Sequence, residues 1–375
     1  MSDAGPPDGS APGSDDPFLK LATVREALGP AAEPVPAASP SVAPVWPRVG
    51  AVLSGAFDLV TQARGPLRNA SLYIGLLGLL TMGPALIAIV ADPAFSVDFE
   101  AALPSEQPGL DVAALYLLLF ALVAVALESQ IIGLAILGGA STGRPLSLRE
   151  GLRRSRTAFW RMFRATALLT TVDAVLTQLI LGIVSPVFGP DTDVPLVGTN
   201  LLVGVIMAPF VYVAVGIVLG DVGSVEAIRR SIRLARARFR LALVLSLFSV
   251  VANYLLLFAA AAGLDLAGRI LEPFSAEIRS LDPGNLAGFV VGAGLILLAL
   301  FAGWTLVFSV GALTSATQVV AFLGLTGYSG GLDKARDEVP GEVPRNRPAW
   351  LSPAMIVGIV IGLVLAAGSI VNEFG

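Results

Sequence analysis

Seven stretches of this chain are each long and apolar enough to cross a bilayer, and they limit what the rest can be. They lie at about 71–91, 112–139, 165–188, 199–220, 241–263, 286–312 and 350–371. A transmembrane helix needs roughly 20 predominantly apolar residues to traverse the hydrocarbon core. Within these stretches the apolar residues run all round the helix, which marks contact with lipid and with other helices. Only 14% of the chain is charged and its mean hydropathy is +0.80, whereas a soluble domain carries about 25% charged residues. The expected fold is an all-α polytopic transmembrane helix bundle of seven spans. Pro84 and Pro209 fall inside the first and fourth spans and predict kinks there.

The chain reads as four parts. Residues 1–47 hold ten of the 26 prolines and few large apolar residues, which predicts a disordered Pro/Ala-rich tail for an unknown protein partner. Within it, Asp16 to Leu28 has the spacing of a short amphipathic helix. Residues 48–325 form a six-span membrane domain, 326–349 a cytoplasmic linker, and 350–375 a C-terminal span. No apolar segment follows a basic start, so no cleavable signal peptide is expected. The chain has no Cys and no His, which removes thiolate chemistry, imidazole metal ligands and histidine-based triads. No cofactor or metal site is expected, and no catalytic constellation can be assigned.

Charge sets the orientation. Of the 24 basic residues, 22 lie in the tail and first connector, between spans two and three, between four and five, and between six and seven. The other side holds only Arg269 and Arg279, and its loops carry acids such as Asp92, Glu100 and Asp191. The positive-inside bias places the N-terminus and the Arg-rich connectors in the cytoplasm, and seven spans put the C-terminus outside. The expected location is a bacterial plasma membrane.

The two largest basic connectors repeat one another. Glu150, Arg153, Arg154, Ser155, Phe163 and Arg164 recur 76 positions later as Glu226, Arg229, Arg230, Ser231, Phe239 and Arg240. At about 100° per residue, Leu148, Leu152, Phe159 and Phe163 share one helix face, and Arg149, Arg153, Arg156, Arg161 and Arg164 lie opposite. Val225, Ile228, Ile232, Ala235 and Phe239 make the matching face in the second copy. A weaker version around Val52, Ala56 and Leu59 precedes the first span. Such helices are expected to lie in the membrane interface, apolar side down and guanidinium groups at headgroup level. The layout is then three units of interfacial helix and membrane hairpin, plus a seventh span. Arg153, Arg154, Arg164, Arg229, Arg230 and Arg240 are the headgroup candidates, since guanidinium holds phosphate bidentately. The expected partner is a bilayer rich in anionic headgroups. Nucleic acid is not expected, because the net charge is −4 and the basic residues adjoin the spans.

The run from Val225 to Arg236, followed by Phe239-Arg240, resembles the interfacial segment of the membrane domain of bacterial glycerophosphoryl diester phosphodiesterases. The likeness spans roughly residues 50–325. It implies the membrane module alone. The catalytic barrel of that family uses His and acidic residues with a divalent metal, and this chain has no His and no soluble stretch long enough for a barrel.

Glu128, Asp173 and Asn253 are the polar residues inside spans that stand out as candidates. Ionisable groups in the hydrocarbon are costly and usually face the bundle interior. Glu128 and Asp173 can both occupy the cytoplasmic half, where a carboxylate pair would serve a secondary transporter or channel for a small solute or ion. Their other reading is helix packing, through a connector Arg or through Asn253 and Gln178. Small residues mark close contacts at Gly284, Gly288 and Gly292, and at Ala354, Gly358, Gly362 and Ala366. The Gly358/Gly362 face suits either self-association or packing within the chain. The leading expectation is a non-enzymatic membrane module that organises or binds lipid and partner proteins.

Overall fold

Backbone placed in hydrocarbon must satisfy its own hydrogen bonds, and a chain of long apolar runs does so as helix. In the computed structural model the described residues are 48–91, 108–143, 145–188, 194–271, 286–328 and 352–361, and all their regular elements are helical. In order these are α1 (Val49–Gln62), α2 (Arg64–Ala91), α3 (Pro108–Ser141), α4 (Leu148–Phe188), α5 (Val194–Met207), a 3-10 turn (Ala208–Phe210), α6 (Val213–Val218), α7 (Ser224–Ala237), α8 (Phe239–Leu271), α9 (Leu286–Tyr328) and α10 (353–361). Among the described residues, five helical stretches are long and apolar enough to cross a membrane: Leu119–Ser141, Leu148–Pro186, Val197–Val218, Phe239–Gly263 and Leu297–Thr326. They correspond to the second to sixth expected spans. The first falls on α2 and the seventh begins at α10. The tail, the linker beyond Tyr328, Gly284, Gly362 and Ala366 lie outside the described residues, and the first three residues of the expected linker, 326–328, belong to α9 instead.

Helix α9 packs against α1, α2, α3 and α8. It runs well beyond the expected end at 312. Thr314 and Thr317 do not break it, because their hydroxyls donate back to the Gly311 and Thr314 carbonyls. Helix α2 lies so close that glycine is required. A Cβ on Gly78 would stand 2.1 Å from Cδ1 of Trp304, and one on Gly75 2.7 Å from the Phe301 ring. This tight stripe lies on α2, where sequence reading had marked only α9 and α10. Outward faces carry Leu80, Ile183, Leu255 and Phe258, all exposed. That arrangement suits helices solvated by lipid.

Two features depart from the expected layout. The first Arg-rich connector is not a separate helix, because α4 runs unbroken for 41 residues from the connector into the span. At about 1.5 Å per residue it is about 62 Å long. The second copy does break, at Arg238, whose φ of −144° and ψ of 60° separate α7 from α8. The expected kink at Pro209 is a full interruption, with α5, a 3-10 turn and α6 replacing one straight span. Helical geometry continues across Pro84 in α2.

Ser231 mends that interruption. Its Oγ donates to the Pro209 carbonyl at 2.7 Å and accepts from the Tyr212 N–H at 3.1 Å. Ser246 of α8 donates to the Gly204 carbonyl one turn earlier at 2.7 Å. Hydroxyls are the usual means of re-satisfying backbone freed inside a membrane helix. Ser231→Ala is expected to destabilise the protein by about 1–3 kcal/mol by orphaning two buried backbone groups. Ser155, its counterpart in the repeat, is buried with no hydrogen-bond partner for Oγ, so Ser155→Ala is the control. Melting in detergent should separate the two variants. Equal midpoints would refute the assignment.

Candidate functional site: the arginine helices and a buried carboxylate

The two repeat copies superimpose in burial. Gly151 and Ala227 are buried, Arg153 and Arg229 exposed, Ser155 and Ser231 buried, and Phe159 and Ala235 buried. The inward face is therefore packed on protein, where the sequence led us to expect lipid. In α7 the small residues Ala227, Ser231 and Ala235 recur every four positions, so the helix sits tightly on α6 and the 3-10 turn. The bulkier Val225 and Phe239 are exposed.

Local chemistry starts the copies differently. Ser147 and Glu150 form a capping box at the head of α4: the Ser147 N–H and hydroxyl donate to one Glu150 oxygen at 2.7 and 2.8 Å. The N–H, and then the hydroxyl, hold the Glu150 carboxyl below its ordinary range. In α7 the cap is Gly223, and Glu226 accepts from Arg233 at 3.0 Å. Ser224 instead donates to the Arg161 carbonyl at 2.7 Å.

The copies are joined by an arginine clasp. Arg154 donates through Nε and Nη2 to the Val218 carbonyl at 2.9 and 2.6 Å, capping the buried C-terminal end of α6. It also reaches Asp221 at 3.1 Å, and Arg161 reaches the same Oδ1 at 2.8 Å. The side chains of Arg154 and Arg161 are 10% and 9% exposed, and that of Asp221 is 27%. Asp221 has a φ of +52°, a conformation that Asp and Asn adopt more readily than other non-glycine residues. Arg230 closes the other side: its Nη1 would lie 2.9 Å from a Cβ on Gly220.

This placement corrects the headgroup set. Arg154 and Arg230 belong to the interior, because they are one position out of phase with the exposed arginines and turn toward the loop at 219–223. Arg153, Arg164, Arg229 and Arg240 are exposed.

Glu128 makes a second polar centre. It is fully buried in α3, accepts from the Tyr73 hydroxyl of α2 at 3.2 Å, and accepts a short hydrogen bond from Ser352. Ser352 also caps α10, with the Met355 N–H 3.4 Å from its Oγ and Pro353 in the first helical position. Asp173 does not join Glu128: that residue is half-buried on α4 and touches neither partner. Asn253 is exposed on α8, and so is Gln178 on α4. The expected carboxylate pair is thus replaced by one carboxylate and two hydroxyls that tie three helices together. Replacing Glu128 with Ala should loosen α10 by about 1–3 kcal/mol, since both hydroxyls lose a buried acceptor. In a chain without Cys, maleimide labelling of Val357→Cys reports this. It should rise in the Glu128→Ala background, and unchanged labelling would exclude the tie.

Gly358 is already occupied within the chain. A Cβ there would lie 3.1 Å from Cα of Thr81 in α2, and Ala354, Val357 and Ile361 are buried. The described part of the Gly358/Gly362 face therefore packs on the chain's own bundle, where self-association had been the other expectation. Among the described residues no group of His, Cys, Asp and Glu is placed to hold a metal ion. Compared with family models, with curated proteins and with solved structures, the chain matches none.

Sequence reading missed Asp221, Arg161, Tyr73 and Ser352 as structural centres. Two of the local signals were legible: Ser147-x-x-Glu150 is a capping box, and Ser352-Pro353 is a helix start.

Proposed function

We propose that the chain is a non-enzymatic membrane module that binds anionic phospholipid at the cytoplasmic face of a bacterial plasma membrane. In this reading it has seven spans, its N-terminus inside and its C-terminus outside, and it resembles the membrane module of the glycerophosphoryl diester phosphodiesterases without their catalytic barrel. The observation that carries it is the division of labour among the repeat arginines. Arg154 and Arg161 of α4 and Arg230 of α7 are committed inward to the loop at 219–223, and Arg153 and Arg164 of α4, Arg229 of α7 and Arg240 at the start of α8 are left exposed. Each basic residue near an anionic surface contributes about 1 kcal/mol. Four of them together form a cationic surface at headgroup level.

The full chain in nanodiscs of mixed phosphatidylglycerol and phosphatidylcholine tests this by native mass spectrometry of the co-purifying lipid. Phosphatidylglycerol should be enriched, and changing Arg153, Arg164, Arg229 and Arg240 to Gln should cut that enrichment at least about tenfold. Equal retention of both lipids by the unmodified protein would sink the reading. The transport alternative keeps one observation, the fully buried Glu128. Solute or ion flux in liposomes that Glu128→Gln abolishes would favour it.

A further inference from the structure

We infer that the interruption of the fourth span builds a slot for one acyl chain of an anionic glycerophospholipid, its phosphate seated on Arg236. This deepens the lipid-binding reading and rests on it. The slot is a groove of about 420 Å³ between α4, the Pro209 interruption, α7 and the start of α8. Small-molecule sites are typically about 300–1,000 Å³. Its walls include Val172 and Leu176 on one side, Ile206 and Phe210 opposite, and Phe239 at the end where α8 begins.

Arg236 alone among the lining residues is charged, and it is exposed in the last turn of α7. Val172 and Leu176 lie 8 and 12 residues beyond Arg164 on the same helix, which is about 12–18 Å along the axis. The groove thus joins the arginine level to the apolar depth of the span. Val172, Ile206 and Phe239 are each at least 39% exposed, so the slot opens sideways where a lipid can enter. Walls with no other charged or hydroxyl side chain offer nothing to a polar solute. One guanidinium beside an apolar trough matches a glycerophospholipid, whose acyl chain and phosphate are joined through one glycerol. The trough exists because Pro209 shortens the helix into a 3-10 turn and Arg238 turns the chain away between α7 and α8.

The test uses the full chain in nanodiscs doped with phosphatidylglycerol carrying a photoreactive diazirine on one acyl chain. Crosslinks should concentrate on Val172, Leu176, Ile206 and Phe210, at one lipid per chain. Ile206→Trp and Val172→Phe, both at exposed positions, should each fill the trough and lower those crosslinks about tenfold. Bulk enrichment of phosphatidylglycerol should remain. Arg236→Gln should keep the acyl crosslinks but reduce the preference over a phosphatidylcholine probe about fivefold. Crosslinks spread evenly to lipid-facing residues such as Leu255 and Phe258 would overturn the slot, as would yields indifferent to both filling variants. Loss of the slot signal with bulk enrichment intact defeats this inference alone. Absent bulk enrichment in the unmodified protein defeats the reading beneath it.

Discussion

Asp221→Ala lowers the stability of the detergent-solubilised protein by about 3 kcal/mol, the low end of the cost of breaking a buried ion pair. One carboxylate oxygen serves both Arg154 and Arg161, and each guanidinium is about nine-tenths withdrawn from solvent. Removing it strands two charges together. The partial exposure of Asp221 admits water and holds the cost below the upper end of the range. Asp221→Asn separates charge from backbone, because Asn tolerates the same positive φ and keeps one acceptor. It should melt between the unmodified protein and the Ala variant. Arg154→Gln should be milder than Asp221→Ala, since it leaves Arg161 paired. Identical midpoints for Asp221→Ala and the unmodified protein would show that the clasp holds nothing.

Gly78→Leu abolishes recovery of folded, monodisperse protein. The Trp304 ring occupies the space that any side chain at 78 would need, and a Cβ would sit 2.1 Å from it. The indole is 7% exposed and hemmed in, so α2 must part from α9. Overpacking costs about 1–3 kcal/mol even where neighbours shift, and a whole Leu at this separation demands more. Gly303→Leu on α9 is the control, because nothing lies within 4 Å of its Cβ. The pair Gly78→Ala with Trp304→Leu should recover part of what Gly78→Ala alone loses, as expected for residues in direct contact. Size-exclusion profiles of the four proteins decide the matter. A Gly78→Leu protein that elutes and melts normally would place α2 elsewhere.

How much of this was written in the sequence follows from what each signal encodes. Long apolar runs announce helices of membrane length, and Pro209 announces the break, because both are local properties. Rotation about the helix axis is different. A span that is apolar all round carries no mark of which side meets its neighbours. That is why Glu128 and Asp173 could be paired on paper while the fold buries one and leaves the other half-exposed. The repeat arginines failed in the opposite way. Their charge is plain, but a shift of one residue, 100° about the axis, sends Arg153 outward and Arg154 into the clasp. Only the partner loop at 219–223 reveals the second role. The capping box at Ser147 and Glu150, by contrast, is local and legible from its spacing alone.

Helix α4 has a mechanical consequence. A rod of about 62 Å is about twice as long as the hydrocarbon is thick, and it carries the arginine clasp near one end. Nothing along its 41 residues acts as a joint before Pro186. Whatever displaces the base of this rod, by even a few degrees of tilt, is delivered as several ångströms of travel at its opposite tip.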